Sequence, residues 1–556
     1  MKKIESMCMA VAVVFGMGLS PSPAAEPKPI AVLAVASYND LISDVNFAGS
    51  LVERPQLGAT IEGLLAMVTQ GKGLAGVDRT RPWGVIIQAG GEKNFTGYAF
   101  LPVTDFKEAL GLLKLYFTVD SGDGIYKLTP TSGEKVSYVK QQGAWAMFAD
   151  KPEVLAQASG DPLAAAGKLE KDFIVAGRLF LANVPAELRE KFLSQVKQGL
   201  QQAAARHGDE SSEVHAGRQK LIDLAEPYLT RVLNELDQVV FSWGLDRTAE
   251  KVSADVSVTA KPGTKTAEEM GLAAKAMTNL TGFQIPGAAL TAAWAGTMPA
   301  AKREIASSLI EFLRGKGLAD IEKKMPESRR ASTKEAINDG ADLLQKIVKS
   351  GHVDGADTLL FGSSGATGLL AGYVADGALL DKILHTVAKA VVEEHPEAAQ
   401  FVQLDAEKSD SINFHKISIP IPKDAKNREI LVQLVGEKFD FVIGVGQETA
   451  YLAMGRDAMA SLKTAIDAST RAGAKAVLPL EFSMAMKPLV AFAATAGKAK
   501  DRQNAAMSEA ELEKTPGKYH IGLTVRPISN GVQVRLEVEQ GVLRLFGRLV
   551  LANMQP

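Results

Sequence analysis

The residue types best suited to hold a divalent metal ion gather in one polar segment between positions 207 and 215. His207 and His215 bracket three acidic residues, Asp209, Glu210 and Glu213. Imidazole nitrogens and carboxylate oxygens together ligate zinc and related cations. The spacing matches no structural or catalytic zinc pattern, and the Gly-Asp-Glu-Ser-Ser run is typical of a solvated loop. We expect a loop whose capacity for metal stays open, and the sequence assigns no catalytic, cofactor-binding or metal-binding residue.

Two further histidines have the chemistry of a general base near neutral pH. His415 lies in the alternating segment NFHKISI, and the matching position of an internal repeat described below holds Tyr126. A tyrosine counterpart favours a packing or surface role for His415. His385 follows Asp381 by four residues on an amphipathic segment, which predicts a charge pair on one helix face.

A glycine-rich segment, QGKGLAGVD at 70–78, superficially resembles a phosphate-binding loop. Such a loop requires Ser or Thr directly after its lysine, between a strand and a helix. Lys72 is instead followed by Gly73, and the preceding TIEGLLAMVTQ has apolar residues at helical spacing. We expect Gly71 to take the left-handed C′ position where that helix ends. The letters GKGLA return at 315–319, where we predict a second helix end.

Adjacent serines in FGSSGATG, at 361–368, raise the question of a nucleophile. The nucleophile elbow of hydrolases requires a glycine two residues after the serine, between a strand and a helix. The run Gly362-Ser363-Ser364-Gly365-Ala366 lacks that final glycine. We therefore predict a hairpin turn.

The charge balance argues against a nucleic-acid partner. The chain has 62 basic and 64 acidic residues, a formal net charge of −2, so it has no strong positive field. Basic residues do gather between Lys323 and Lys334, but acids are interspersed and no aromatic residue is present to stack on a base. We predict a solvated inserted loop before a helix there.

The N-terminus has the features of an export signal. Lys2 and Lys3 precede an apolar run, Met7 to Leu19, that is shorter than a membrane span. Small residues follow, so residues 1–25 are predicted to be a signal peptide cleaved after Ala24 or Ala25. The protein is then expected in the periplasm or outside the cell. The one cysteine of the chain, Cys8, lies in the signal, so the mature chain has no disulfide, and no later run is long enough to span a membrane.

The chain repeats its own arrangement of elements in five pairs of segments, which come in the same order. FTGYAFLPVTDFKEALGLLK (95–114) and LLAGYVADGALLDKILHTV (369–387) both predict a strand, an Asp helix start and an amphipathic helix, with Gly97-Tyr98 matched to Gly372-Tyr373. AWAMFADKPEVLAQA (144–158), with Asp150 as N-cap, corresponds to TAYLAMGRDAMASLKTAI (449–466). The further pairs are GIYKLTP with NFHKISIP, GRLFLANVPAEL with PLEFSMAMKPLV, and QVVFSWGLDRTAEKVSADVSV with HIGLTVRPISNGVQVRLEVEQ.

These repeats predict an α+β fold built from two related units of antiparallel β-sheet packed with amphipathic helices. The first unit is expected at 26–283. The second is expected at 284–556 and carries a helical insertion near 321–351. The tryptophans, Trp145 and Trp243 among them, are expected to pack in the core or at sheet edges.

The chain resembles a family of uncharacterised exported bacterial proteins. The resemblance rests on ASYNDLISDV, TQGKGLAGVDRTRPWGVIIQ, VTDFKEALGLLK, VSYVKQQGAWAMFADKPEVL, RLFLANVPAELRE and LTVRPISNGVQVRLEVEQGVL, which span nearly the whole mature chain. It implies export and internal duplication. The family has no assigned activity, cofactor or catalytic residue, so it implies no site.

The leading functional hypothesis is an exported, non-enzymatic binding or structural protein, associated with the cell envelope. Its ligand would be an unknown protein, an envelope component or an apolar small molecule, because duplicated units readily form a cleft. The alternative is an extracytoplasmic hydrolase. Its acid–base pair would be carboxylates that the fold brings together from distant positions.

Overall fold

The computed structural model describes residues 28–89, 95–131, 133, 135–158, 160–167, 169, 173–205, 211–362, 365–495 and 499–554. The described residues divide into two compact units. The first unit consists of the described residues up to Leu193, Leu236–Thr259 and the residues from Phe546 on; the second consists of Ser194–Glu235 and Ala260–Leu545. The predicted domain boundary at 283/284 lies inside the second unit, and the predicted signal peptide lies outside the described residues.

The first unit is built from strands with short helices between them. Its strands are β1 (Pro29–Val35), β2 (Trp83–Ala89), β3 (Phe95–Pro102), β4 (Phe117–Gly122), β5 (Ile125–Pro130), β6 (Ser137–Gln142), β7 (Trp145–Ala149), β8 (Val175–Phe180), β9 (Leu236–Asp246) and β10 (Lys251–Ala260). Its helices are α1 (Tyr38–Leu51), α2 (Leu57–Val68), α3 (Phe106–Leu113), α4 (Pro152–Gln157) and α5 (Pro162–Ala166). After β8 the chain enters α6 (Ala186–Ala204) and α7 (Ser212–Glu235), and α7 belongs to the second unit.

The second unit has longer helices. Its strands are β11 (Met277–Thr278), β12 (Leu290–Thr297), β13 (His352–Gly362), β14 (Gly365–Tyr373), β15 (Val402–Ser409), β16 (Ile412–Pro420), β17 (Lys438–Val445), β18 (Thr449–Gly455), β19 (Lys475–Ala476), β20 (Leu480–Ala485), β21 (His520–Ile528) and β22 (Gly531–Glu539). Its further helices are α8 (Lys265–Gly271), α9 (Ala300–Lys324), α10 (Glu327–Ser350), α11 (Gly377–Glu394), α12 (Arg428–Val435), α13 (Ala458–Ala472), α14 (Met486–Thr495) and α15 (Ala499–Glu513); α16 (Gln540–Met554) follows β22.

The two units have the same strand order. In the first unit the neighbouring strands run β4-β5-β6-β7-β3-β2-β1-β8-β9-β10. In the second they run β15-β16-β17-β18-β14-β13-β12-β20-β21-β22. The registered pairs are antiparallel throughout both orders. The predicted α+β fold of two related antiparallel units is therefore confirmed.

The strand order corrects one detail of the predicted repeat. Asp105 accepts backbone N–H bonds at the start of α3, and Asp376 does the same at the start of α11. Aligning these two caps gives an offset of 271 residues (376 − 105), which matches Gly97 with Gly368. The predicted match of Gly97 with Gly372 is wrong by four residues. It aligned the Gly-Tyr pairs of the two segments, whereas the helix starts give the structural correspondence.

Helices cover part of both faces of each sheet. On one face α3 or α11 lies over one end, and α4 with α5, or α13, packs against the other face. In the first unit Val32, Ala34, Ile86, Tyr98 and Phe100 lie on this face and form a buried cluster with side chains from α4 and α5. In the second unit the corresponding face packs against α13 in a second cluster. Alternate residues of each strand point to the opposite face, so the other face of each sheet is a separate surface.

The predicted helix end at QGKG is confirmed, with a shift of one residue. Helix α2 ends at Val68, and Gln70 takes the left-handed conformation at φ 53°. The N–H of Gln70 bonds to the carbonyl of Met67, and the N–H of Gly71 bonds to that of Ala66. This is the Schellman pattern, with Gln70 at C′ and Gly71 one residue beyond the predicted position.

The second predicted end, at 315–319, is wrong because α9 continues to Lys324. Gly317 lies where α9 meets α10, and a Cβ on it would stand 3.3 Å from Ile337 Cδ1. A Cβ on Gly315 would meet nothing within 4 Å. The glycine at 317 thus allows close helix packing rather than helix termination.

Two other local predictions differ from the structure. The segment from Lys323 to Lys334, predicted as a loop, is mostly helical, because α10 begins at Glu327 with Pro326 at its N-cap. Helix α4 has Lys151, not Asp150, at its N-cap, while Pro152 takes the first helical turn as expected.

The last helix joins residues that are far apart in the chain. In α16, Arg548 forms an ion pair with Glu53 at 2.6 Å. A Cβ on Gly547 would stand 2.5 Å from Val52 Cγ1, so this helix lies close to the end of α1. The first unit is therefore assembled from residues at both ends of the described chain.

Candidate functional site

The face of the first sheet opposite the α4–α5 cluster is covered by α3 at its β5–β7 end. The rest of this face contains three cross-strand rows of apolar residues, which we call the open face. The rows are Ala99–Val85–Leu33–Gly177–Phe241, then Trp83–Val35–Val175–Trp243, then Gly97–Ile87–Ala31–Leu179–Val239. Antiparallel sheets usually turn a polar face to water. The open face has no polar side chain in any of these rows.

Several residues of the open face are exposed to solvent. Phe241 is 49 % exposed and Trp243 is 56 % exposed, and Leu33 and Leu179 are exposed as well. The Phe241 ring lies over Gly177, where an added Cβ would meet it at 2.1 Å. The expectation that Trp243 packs in a core or at a sheet edge missed this exposure. The available signal was the run of apolar residues at consecutive positions in β1, β2 and β9, which is unusual for a strand with one wet face.

The second sheet repeats this pattern with one polar exception. Its rows are Leu370–Asp357–Ala292–Phe482–Leu523–Leu536, Gly368–Leu359–Leu290–Met484–Ile521–Val538 and Gly372–Gly355–Trp294–Leu480–Val525–Val534. Burial raises the pKa of the Asp357 carboxyl, and a backbone hydrogen bond at Ala292 partly opposes that rise. Both units therefore have apolar rows on the sheet face opposite the α4–α5 and α13 clusters.

A second candidate site is a polar cluster at the edge of the second sheet. Helix α11 contributes Asp381 and His385, one turn apart, and β16 contributes Asn413 and His415, two residues apart on one strand face. The edge strand β15 contributes Asp405 from a bulge, where its φ is 51°. Bulges at sheet edges re-aim side chains, and this one directs Asp405 towards the helix.

His415 is the buried member of this cluster, at 1 % exposure. The backbone N–H of Asp405 donates to its Nδ1 at 3.2 Å, which requires an unprotonated Nδ1. Its Nε2 then carries the proton and donates to Asp381 Oδ1 at 3.0 Å. Asn413 Nδ2 also donates to Asp381 Oδ1, at 3.1 Å, and to Asp405 Oδ1 at 2.5 Å. His415 thus holds the Asp381 carboxylate in place.

His385 lies between the two carboxylates. Its Nδ1 donates to the backbone carbonyl of Asp381 at 2.9 Å, and its Nε2 lies 3.2 Å from Asp405 Oδ2. The hydrogen bond to the Asp381 carbonyl, with the Asp405 carboxylate, raises the pKa of His385. Hydrogen bonds from Asn413 and His385 lower the pKa of Asp405. The predicted pair of Asp381 and His385 is confirmed, at 3.5 Å between Oδ2 and Nδ1.

The first unit has an apolar core where the second has this cluster. Through the sheet pairings, Tyr126 pairs with Val139 and then Phe148, as His415 pairs with Ile443 and then Leu452. The predicted equivalence of Tyr126 and His415 is therefore confirmed. The offset of 271 residues matches Asp381 with Leu110, and Leu110 and Tyr126 belong to one hydrophobic cluster. The sequence missed the polar site because its parts lie on three separate elements.

The other residues considered from the sequence do not join a site in the described part of the chain. His207, Asp209 and Glu210 lie outside the described residues, and His215 is in the first turn of α7. Ser363 and Ser364 also lie outside the described residues. They are flanked by the paired residues Gly362 and Gly365, which confirms the predicted hairpin.

Two pockets of about 260 and 280 Å³ lie in the second unit. The first is lined by Gln284, Ile285, Pro286, Gly287, Ala288, Thr291, Glu481, Ser483 and His520. The second is lined by Asn279, Leu280, His352, Asp354, Tyr373, Glu448 and Thr449. Both are smaller than the pockets that enclose drug-sized ligands and have polar linings. They contain neither Asp381 nor Asp405.

No protein-family model, curated protein or solved structure matches this chain. Among the described residues, no helix is long and apolar enough to cross a membrane.

Proposed function

We propose that this chain is an exported binding protein that holds an apolar ligand against the open face of the first sheet. The observation that carries the proposal is the composition of the three rows, which are apolar throughout although Phe241 and Trp243 are half exposed. Contiguous apolar surface on a soluble protein marks a site of interaction. The Lys2-Lys3 and Met7–Leu19 pattern supports export.

The shape of this surface favours an elongated ligand. Neighbouring strands are about 4.8 Å apart, so a row across five strands is about 19 Å long. A long acyl chain laid along the row of Leu33 and Phe241 would cover the exposed rings and be removed from water. Each CH₂ group buried in this way contributes about 0.8 kcal/mol.

The hydrolase alternative stays a hypothesis with weaker support. It requires two carboxylates at a substrate pocket. Asp381 and Asp405 share the amide of Asn413, but neither lines either pocket described above. A binding function therefore fits the structure better.

A titration with a dansylated fatty acid tests the proposal. We expect saturable binding with energy transfer from tryptophan to the dansyl group, and we expect Trp243→Phe to reduce the transfer without abolishing binding. Phe241→Glu removes an aromatic contact and places a charge on the open face. Loss of a buried Phe contact is worth about 1.5–3 kcal/mol, which corresponds to a loss of affinity of about tenfold or more.

The matched control is Phe192→Glu, which changes a phenylalanine of similar exposure, 52 %, on α6. Circular dichroism checks that both variants fold. Binding that is not saturable, or that both substitutions weaken equally, would overturn the proposal.

A further inference from the structure

The geometry points to a divalent metal site in the second unit, with Asp381, His385 and Asp405 as ligands. The proposal is independent of apolar binding on the first sheet. One potential ligand atom from each of these residues lies within 4.8 Å of the other two. The residues come from α11 and from the β15 bulge.

The hydrogen bonds that hold the two carboxylates use only one oxygen of each. Asn413 and His415 occupy Oδ1 of Asp381, and Asn413 occupies Oδ1 of Asp405. The Oδ2 atoms of both carboxylates remain on the side of His385, at 3.5 Å from Nδ1 and 3.2 Å from Nε2. Asp405 Oδ2 thus lies beside Nε2, whereas Asp381 Oδ2 lies beside Nδ1. To complete a site at Nε2, Asp381 Oδ2 must turn towards Nε2 while Oδ1 keeps its hydrogen bonds.

His385 has the orientation of a metal-binding histidine. Its Nδ1–H donates to the backbone carbonyl of Asp381. Metal-binding histidines generally donate the second ring N–H to a carbonyl or carboxylate, which fixes the ring and leaves the other nitrogen for the metal. In the metal-bound form, the lone pair of His385 Nε2 would face the ion.

The first unit folds without this polar cluster, which indicates that the cluster has a role beyond stabilising the fold. At the same place in the fold, the first unit uses Leu110 and Tyr126 in an apolar cluster. An apolar solution is therefore available to this topology. The second unit instead has a paired histidine and two paired carboxylates there, which packing alone does not require, and a metal-binding role accounts for them.

One imidazole nitrogen and two carboxylate oxygens suit a borderline cation of the zinc class, with remaining positions filled by water. Ligand atoms around tetrahedral zinc, at bonds of about 2.0–2.1 Å, are about 3.3 Å apart. The three ligand atoms lie within 4.8 Å of one another, so metal binding requires a contraction of up to about 1.5 Å. The partly exposed side chains of His385 and Asp405 make this shift accessible.

Zinc binding by the purified full chain tests the proposal, with isothermal titration calorimetry as the measurement. We expect one Zn²⁺ per chain at this site and a loss of affinity of more than about 100-fold in His385→Ala, since even changes behind the ligands cost 10- to 100-fold. Asp405→Asn should weaken binding as well, because asparagine lacks the negative charge. Asparagine also tolerates the left-handed backbone at this position, so the bulge should be kept. Substituting Co²⁺ should give a visible absorption band that His385→Ala loses.

Two controls locate the site. His395→Ala removes a histidine that also lies at α11, beside exposed Glu394 and Glu397, and should bind Zn²⁺ as the wild type does. His215→Ala tests the acidic segment after α6. Absence of binding by the wild type at 1 mM Zn²⁺, unchanged binding in His385→Ala, or loss of binding in His215→Ala alone would each overturn the proposal.

Discussion

Replacing the polar cluster of the second unit with its apolar counterpart tests how the two units are related. The substitutions are Asp381→Leu and His415→Tyr, which import the residue types of Leu110 and Tyr126. The measurement is thermal unfolding by calorimetry, with a chelator present, for the wild type, the two single variants and the double variant. The chelator separates this effect from any contribution of bound metal.

The structure sets the size of each effect. Asp381→Leu leaves the buried Nε2–H of His415 without its acceptor, and an unsatisfied buried donor costs about 1–3 kcal/mol. His415→Tyr forces a larger ring into a fully buried position, which costs about 1–3 kcal/mol through overpacking. The double variant removes both the donor on His415 and its acceptor on Asp381. It also places a leucine beside a tyrosine. We expect it to be within about 1 kcal/mol of the wild type, because replacing both partners of a buried hydrogen bond is nearly neutral.

The second unit spans about 330 residues, so at an unfolding entropy of about 2.1 cal/mol/K per residue 1 kcal/mol changes its melting temperature by about 1.5 °C. Each single variant should therefore melt about 3 °C below the wild type if it loses about 2 kcal/mol. The double variant should recover most of that loss, which gives a coupling energy of about 3–4 kcal/mol. A double variant that loses the sum of the two single effects would refute the equivalence of these positions.

Three further substitutions test features of the helices. Gly315→Ala, inside α9 with open space around its Cβ, should raise the free energy of unfolding by about 0.5–1 kcal/mol, measured by denaturant titration. Gly317→Leu should lower it by about 1–3 kcal/mol in the same assay, because the side chain would collide with Ile337; a neutral result would contradict close packing of α9 on α10. Asp376→Ala should cost about 1 kcal/mol at pH 7 through loss of the α11 N-cap. Hydrogen bonds from Lys346 and the helix backbone lower the pKa of Asp376, so its contribution is present above the unfolded pKa of about 3.9 and is lost as the pH falls through the lower folded value. A difference between wild type and variant that stays constant from pH 7 to pH 2 would refute this assignment.

Much of the fold could be predicted from the sequence because the signals are local and repeated. Alternating strands, the Asp105 and Asp376 helix starts, and the closing hairpins at β9–β10 and β21–β22 all depend on residues close together in the chain. The same local basis explains the errors. Gly315 and Gly317 resemble a helix end, but the packing of α9 on α10 supplies the stability that their weak helix propensity lacks.

The candidate sites could be predicted far less well. His415 and Asp381 are 34 positions apart and meet only because β16 lies under α11. Asp405 joins them through a bulge, which depends on how β15 pairs with its neighbour. The open face follows from strand pairing in the same way, since Leu33, Gly177 and Phe241 come from distant segments. The sequence gives the type of each side chain, but the contacts between these side chains depend on the tertiary fold.

The involvement of α16 in the first unit has a consequence for biosynthesis. The ion pair of Arg548 with Glu53 joins positions 495 residues apart. The ribosome releases Glu53 long before Arg548, so this contact of the first unit can form only after the last helix has been made.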